Sequence, residues 1–114
     1  MPGDPGALLS KIDGVKGAAI LKSDGTMVAS KLPNGMDQKE LAKRAVGLMS
    51  ASSAYSESAG GSQVNYAIAG GPDGLVAVAQ KGGFLVVCIT GPESDIDSVS
   101  SKVKKAAEGL QELA

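Results

Sequence analysis

At 114 residues, with 43% hydrophobic and 20% charged side chains, the chain suits one domain, residues 1–114, large enough to fold without disulfide or metal staples. Eleven basic against twelve acidic residues leave a net charge of −1, which offers no broad positive field for nucleic acid or an anionic membrane surface. Histidine is absent, which removes the usual general base and metal ligand, and Cys88 is the single cysteine, so neither an intrachain disulfide nor a cysteine metal cluster is expected.

In chain order, Asp4 before Pro5 reads as a helix start, a capping side chain ahead of a residue whose φ is already helical. Leu8, Leu9 and Ile12 then form a short apolar stripe that Gly14 ends. The opening residues MPGDPGALLSKI hold neither a basic leader nor an export core, and the reading is cytoplasmic. From Gly14 to Lys31 the chain reads GVKGAAILKSDGTMVASK, two strands joined by Ser23-Asp24-Gly25. The first strand, Val15 to Leu21, is apolar on both faces, as a strand covered from two sides should be.

Leu32-Pro33-Asn34-Gly35 breaks the chain, and Asp37 with Glu40 three residues later predicts a capping-box start to a helix running to about Ser58. Gly60-Gly61 stops it. Three strands follow, Gln63 to Ala69, Leu75 to Gln80 and Phe84 to Thr90, linked by Gly71-Pro72-Asp73-Gly74 and Lys81-Gly82-Gly83 into a meander. Val64, Tyr66 and Ile68 alternate with Gln63, Asn65 and Ala67, which places that strand at an edge, whereas Phe84 to Ile89 is evenly apolar and central. Gly91-Pro92 restarts the chain, and Ile96, Val99, Val103, Ala106, Ala107, Leu110 and Leu113 recur at helical spacing. The expected fold is α/β of the α+β type: element order α-β-β-α-β-β-β-α, one five-stranded, mainly antiparallel sheet, helices on both faces.

The middle helix has more apolar surface than one sheet face needs. Leu41, Ala45, Leu48, Ser52 and Tyr55 make one stripe, and Ala42, Val46, Met49 and Ser53 make a second; together they exceed the arc of about 100° that one packing surface uses. The connections flanking the helix could cover the second stripe, or a second copy of the chain could. The adjacent edge strand, whose backbone groups also need partners, favours the second copy. A homodimer contact through Ala42, Val46, Met49, Ser53, Val64, Tyr66 and Ile68 is therefore expected.

The remaining motifs read as structure. Arg44, the only arginine, invites comparison with an inserted finger that stabilises phosphoryl-transfer charge. A solvated helix-surface arginine is the commoner case, and Lys39, Lys43 and Arg44 suit an acidic partner surface instead. Gly14-Val15-Lys16-Gly17 resembles a KH-type GXXG loop but enters a strand, and Gly70 to Gly74 lacks the Lys-Ser/Thr end of a phosphate loop. Cys88 belongs to the core. Glu93, Asp95 and Asp97 complement the N-terminal end of the last helix rather than form a calcium loop. No catalytic residue, cofactor, metal or small-molecule substrate is expected.

The order of elements, the strand Val15-Lys16-Gly17-Ala18-Ala19-Ile20-Leu21 ahead of Ser23-Asp24-Gly25, and Leu41-Ala42-x-x-Ala45 together resemble the roadblock/dynein-light-chain family over nearly the whole chain. Profilin-like and longin domains share the layout. The resemblance implies strand order 2-1-5-4-3, with the long middle helix on one sheet face and the N- and C-terminal helices on the other. It also implies homodimers or heterodimers joined through the middle helix and third strand. Members bind small Ras-like GTPases or dynein intermediate chains, and a short domain of this kind resembles the prokaryotic members, whose dimers contribute shape rather than catalytic residues to a GTPase cycle. The expected function is thus a non-catalytic homodimeric regulator or scaffold for a small Ras-like GTPase; an adaptor in another multiprotein or cytoskeletal complex is the alternative.

Overall fold

Alternating and continuous apolar runs pair into one antiparallel sheet in the computed structural model, which describes residues 5–12, 14–61, 64–72 and 74–110. The elements are α1 (Pro5–Ser10), β1 (Gly17–Lys22), β2 (Met27–Lys31), α2 (Gln38–Ser58), β3 (Tyr66–Gly71), β4 (Gly74–Lys81), β5 (Phe84–Ile89) and α3 (Ile96–Leu110). All neighbouring strands run antiparallel, in the order β2-β1-β5-β4-β3. Both the element order and the strand order agree with expectation. Asp4, Gln63, Asp73 and Leu113, which the sequence reading used, lie outside the described residues.

The central position of β1 follows from its composition. Ala18, Ala19, Ile20 and Leu21 are all fully buried, because the strand has a covered core on each face. On one face Ala18, Ile20, Ala77, Ala79, Val86 and Cys88 lie under Leu9 of α1 and Val99, Val103 and Leu110 of α3. On the other, Ala19, Leu21, Val78, Leu85 and Val87 lie under Ala42, Ala45 and Met49 of α2. Each Leu, Ile or Val removed from water in this way contributes about 1.5–3 kcal/mol before the entropy of ordering it is subtracted.

The turns are held by local polar groups. At the β1–β2 hairpin, Asp24 Oδ1 accepts from the Thr26 N–H at 2.9 Å, and Gly25 takes φ of 96°. That hydrogen bond to backbone holds the Asp24 carboxyl below its ordinary range. Asp37 caps α2: its Oδ1 accepts from the N–H groups of Lys39 and Glu40 at 3.0 and 3.1 Å. Only half of the expected capping box forms, since the Glu40 carboxylate instead accepts from Arg44 Nε at 2.9 Å, one turn along the exposed face. Asp95 caps α3, accepting from the Ser98 N–H at 2.7 Å.

Candidate partner-binding surface

Which face α2 turns inward is decided by the fit of side chains to the sheet. Ala42, Ala45 and Met49 are 6%, 3% and 4% exposed, and all three pack against β1, β4 and β5. This corrects the expectation that Ala42 and Met49 face a second copy: both are already covered by their own sheet. The two stripes overlap on a helix of 3.6 residues per turn, and small Ala42 and Ala45 with flexible Met49 let the helix sit closest to the Val- and Ala-rich strands. Val46 and Ser53 flank this contact and are half-buried. On the other flank Leu41 and Leu48 pack at the margin of the same core and are only half-buried, and Tyr55 is 79% exposed.

The edge strand is placed as expected but begins later. Val64 precedes β3 and is half-buried against the α2 side of the core; its N–H donates to Ser53 Oγ at 3.4 Å, and its carbonyl accepts from Gln80 Nε2 at 2.7 Å. Tyr66 and Ile68 turn their side chains to the opposite face, Ile68 against the α3 core and Tyr66 with the Lys104 ammonium 4.5 Å from its ring centroid. The clean exposure alternation expected of β3 is absent, because Ala69, Gly70 and Gly71 are exposed regardless of face.

The backbone of β3 matters more than its side chains. Gln80 N–H donates to Asn65 C=O, so Asn65 and Gln80 form a hydrogen-bonded pair, and by antiparallel alternation Ala67, Ala69 and Gly71 also bond inward to β4. The N–H and C=O groups of Tyr66, Ile68 and Gly70 consequently point away from the sheet at its free edge. Lys39, Lys43 and Arg44 are exposed on the first turns of α2, Arg44 tied to Glu40. Among the described residues no group of His, Cys, Asp and Glu is arranged to hold a metal ion, and no helix is long and apolar enough to cross a membrane.

Burial pushes the Cys88 thiol up to about 11, with Lys102 pulling weakly the other way. A thiol so protonated is a poor nucleophile, consistent with its place in the core.

This sheet order, with one long helix on one face and two helices on the other, is the layout common to roadblock-like and profilin-like domains. The model of the Roadblock/LC7 domain family matches residues 7–90, and the chain belongs to that family. An uncharacterized protein of Methanocaldococcus jannaschii is 25% identical over 105 residues, covering 92% of this chain and 89% of its own. Among solved structures, Myxococcus xanthus MglB superposes with a TM-score of 0.81 at 19% identity, covering 94% of this chain and 91% of MglB. MglB in a tetrameric arrangement gives 0.85 at 20% identity, covering 100% and 93%. Likeness extends to LokiProfilin2 from its complex with rabbit actin, at 0.63 and 15% identity, covering 96% and 93%. At these identities the structural likenesses establish the fold.

Proposed function

We propose that the protein is a non-catalytic cytoplasmic regulator that works as a homodimer and docks a small Ras-like GTPase, modulating its GTPase cycle. The observation that carries this reading is the coincidence, in a Roadblock/LC7 domain, of an open sheet edge at β3 with an outward apolar flank on α2 ending in Tyr55. Two copies related by a two-fold axis would pair their β3 edges and cover each other's α2 helices, satisfying backbone and apolar surface in one contact. Val46, Ser53, Val64, Tyr66 and Ile68 stay at the margins of that contact, through backbone or partly covered side chains, and Leu41, Leu48 and Tyr55, rather than the buried Ala42 and Met49, form its apolar centre on α2.

Lys39, Lys43 and Arg44 then lie at the start of α2, where they would orient an acidic partner surface and raise its encounter rate. The family resemblance supports a Ras-like GTPase as that partner. Single-turnover GTP hydrolysis by a Ras-like GTPase of the same organism, measured with and without this protein, tests the reading. A changed rate that saturates with regulator concentration supports it, and an unchanged rate without complex formation overturns it.

A second reading, an adaptor without a GTPase, is favoured by the likeness to LokiProfilin2. Co-sedimentation with actin-like filaments in place of the GTPase would select it.

A further inference from the structure

On the side of the sheet opposite α2, the helices α1 and α3 enclose a trough of about 310 Å³ lined by Leu8, Lys11, Ile12, Lys102, Lys105 and Ala106. Its floor is apolar: Ile12 and Ala106 are 6% and 5% exposed, and Leu8 is half-buried. Its rim is cationic, with Lys11 and Lys105 exposed and Lys102 half-buried. None of the described residues lining the trough is acidic, and among the described residues none of the three ammonium groups has an ion-pair partner. Glu108 of α3 lines the separate groove beside Tyr66. In a chain of net charge −1, three cations that pair with no described carboxylate, gathered around one apolar depression, form a local field of definite sign.

We propose that this trough docks an acidic, amphipathic peptide segment of a second partner, its large apolar side chain seated on Leu8, Ile12 and Ala106 and its carboxylates facing Lys11, Lys102 and Lys105. The chemistry of the site selects this occupant. A nucleic-acid strand would require aromatic or arginine stacking surfaces, and the lining has neither. A bilayer would require the apolar groups to project beyond the lysines, whereas here they lie beneath them at the bottom of a concavity. A peptide side chain can reach that floor, and flanking carboxylates match the rim. Because α2 and the trough occupy opposite faces of the sheet, one copy could hold a partner on each at once, and this inference does not rest on the GTPase reading.

Nitrogen-resolved NMR titration of the intact protein with a synthetic peptide bearing leucine at i and i+4 and glutamate at the flanking positions tests the proposal. Saturable shifts at Leu8, Lys11, Ile12, Lys102, Lys105 and Ala106 are expected. Affinity should fall by about tenfold or more in Lys102→Glu/Lys105→Glu, and measurably in the milder Lys102→Gln/Lys105→Gln, while Lys22→Glu, at an exposed site at the far end of β1, leaves it unchanged. Absence of saturable shifts overturns the proposal. So does equal binding of a peptide whose leucines are replaced by serine, or lysine-dependent binding to phosphatidylcholine–phosphatidylglycerol vesicles without binding to the peptide.

Discussion

Gln80 reaches across from β4 to donate its side-chain amide to the carbonyl of Val64 at 2.7 Å, fixing the chain where it leaves the α2 side and enters the edge strand. The neighbouring backbone bond from Gln80 N–H to Asn65 C=O makes this one residue the clamp for the whole start of β3. Replacing Gln80 with Leu keeps the volume and removes the donor. We expect a loss of about 1 kcal/mol in urea unfolding and faster amide exchange at Ala67, with the core strands unaffected.

Met49 and Tyr55 belong to the same helix but answer different questions. Met49→Asp places a carboxylate beside Leu21, Val78 and Val87 and should cost several kcal/mol, read as a lowered urea midpoint. Tyr55→Glu alters a side chain that is 79% exposed and should leave urea unfolding of the isolated fold within about 0.5 kcal/mol. Its expected effect is on self-association alone.

Gly74 opens β4 with φ of 135°, and a Cβ built there would run into the carbonyl oxygen of Thr90. The obstruction is backbone, held in place by the Thr90 N–H bond to Leu75 C=O, so it cannot swing aside. Gly74→Ala should therefore destabilise the protein by about 1–3 kcal/mol from backbone strain, and by more once the overlap is relieved. Thermal melting checks this, with Gly71→Ala, where a Cβ meets open space, as the comparison.

Cys88 ionises near 9.0 in its ordinary state and near 11 in the fold, because burial disfavours the thiolate. The folded state thus holds its proton longer than the unfolded one. Its contribution to stability is complete below about pH 9 and is lost as pH rises toward 11. The stability difference between the wild-type protein and Cys88→Ala should stay flat up to about pH 9 and then shift against the wild type. A difference that remains constant to pH 11 would contradict the assignment.

Much of the architecture was legible because period and punctuation agreed. Continuous apolar runs marked β1 and β5 as central, and Asp37 and Asp95 stand where their helices begin. The face of α2 was not legible, because Ala42, Ala45, Val46, Met49 and Ser53 crowd two overlapping stripes, and hydropathy alone does not tell which fits the sheet more closely. The start of β3 was misplaced because the apolar Val64 looks like a strand residue; its side chain serves the α2 core from the connection instead. The trough between α1 and α3 left no sequence signal, since Lys11 is distant in the chain from Lys102 and Lys105 and only the packing of the two helices joins them.

Sedimentation velocity of the wild-type protein beside Leu48→Glu/Tyr55→Glu tests the two-copy regulator most directly. The account predicts a wild-type dimer at micromolar concentration and a folded monomer for the double variant, which should also lose its effect on GTP hydrolysis. A wild-type protein that sediments as a monomer throughout, or a double variant that still dimerises, would contradict it.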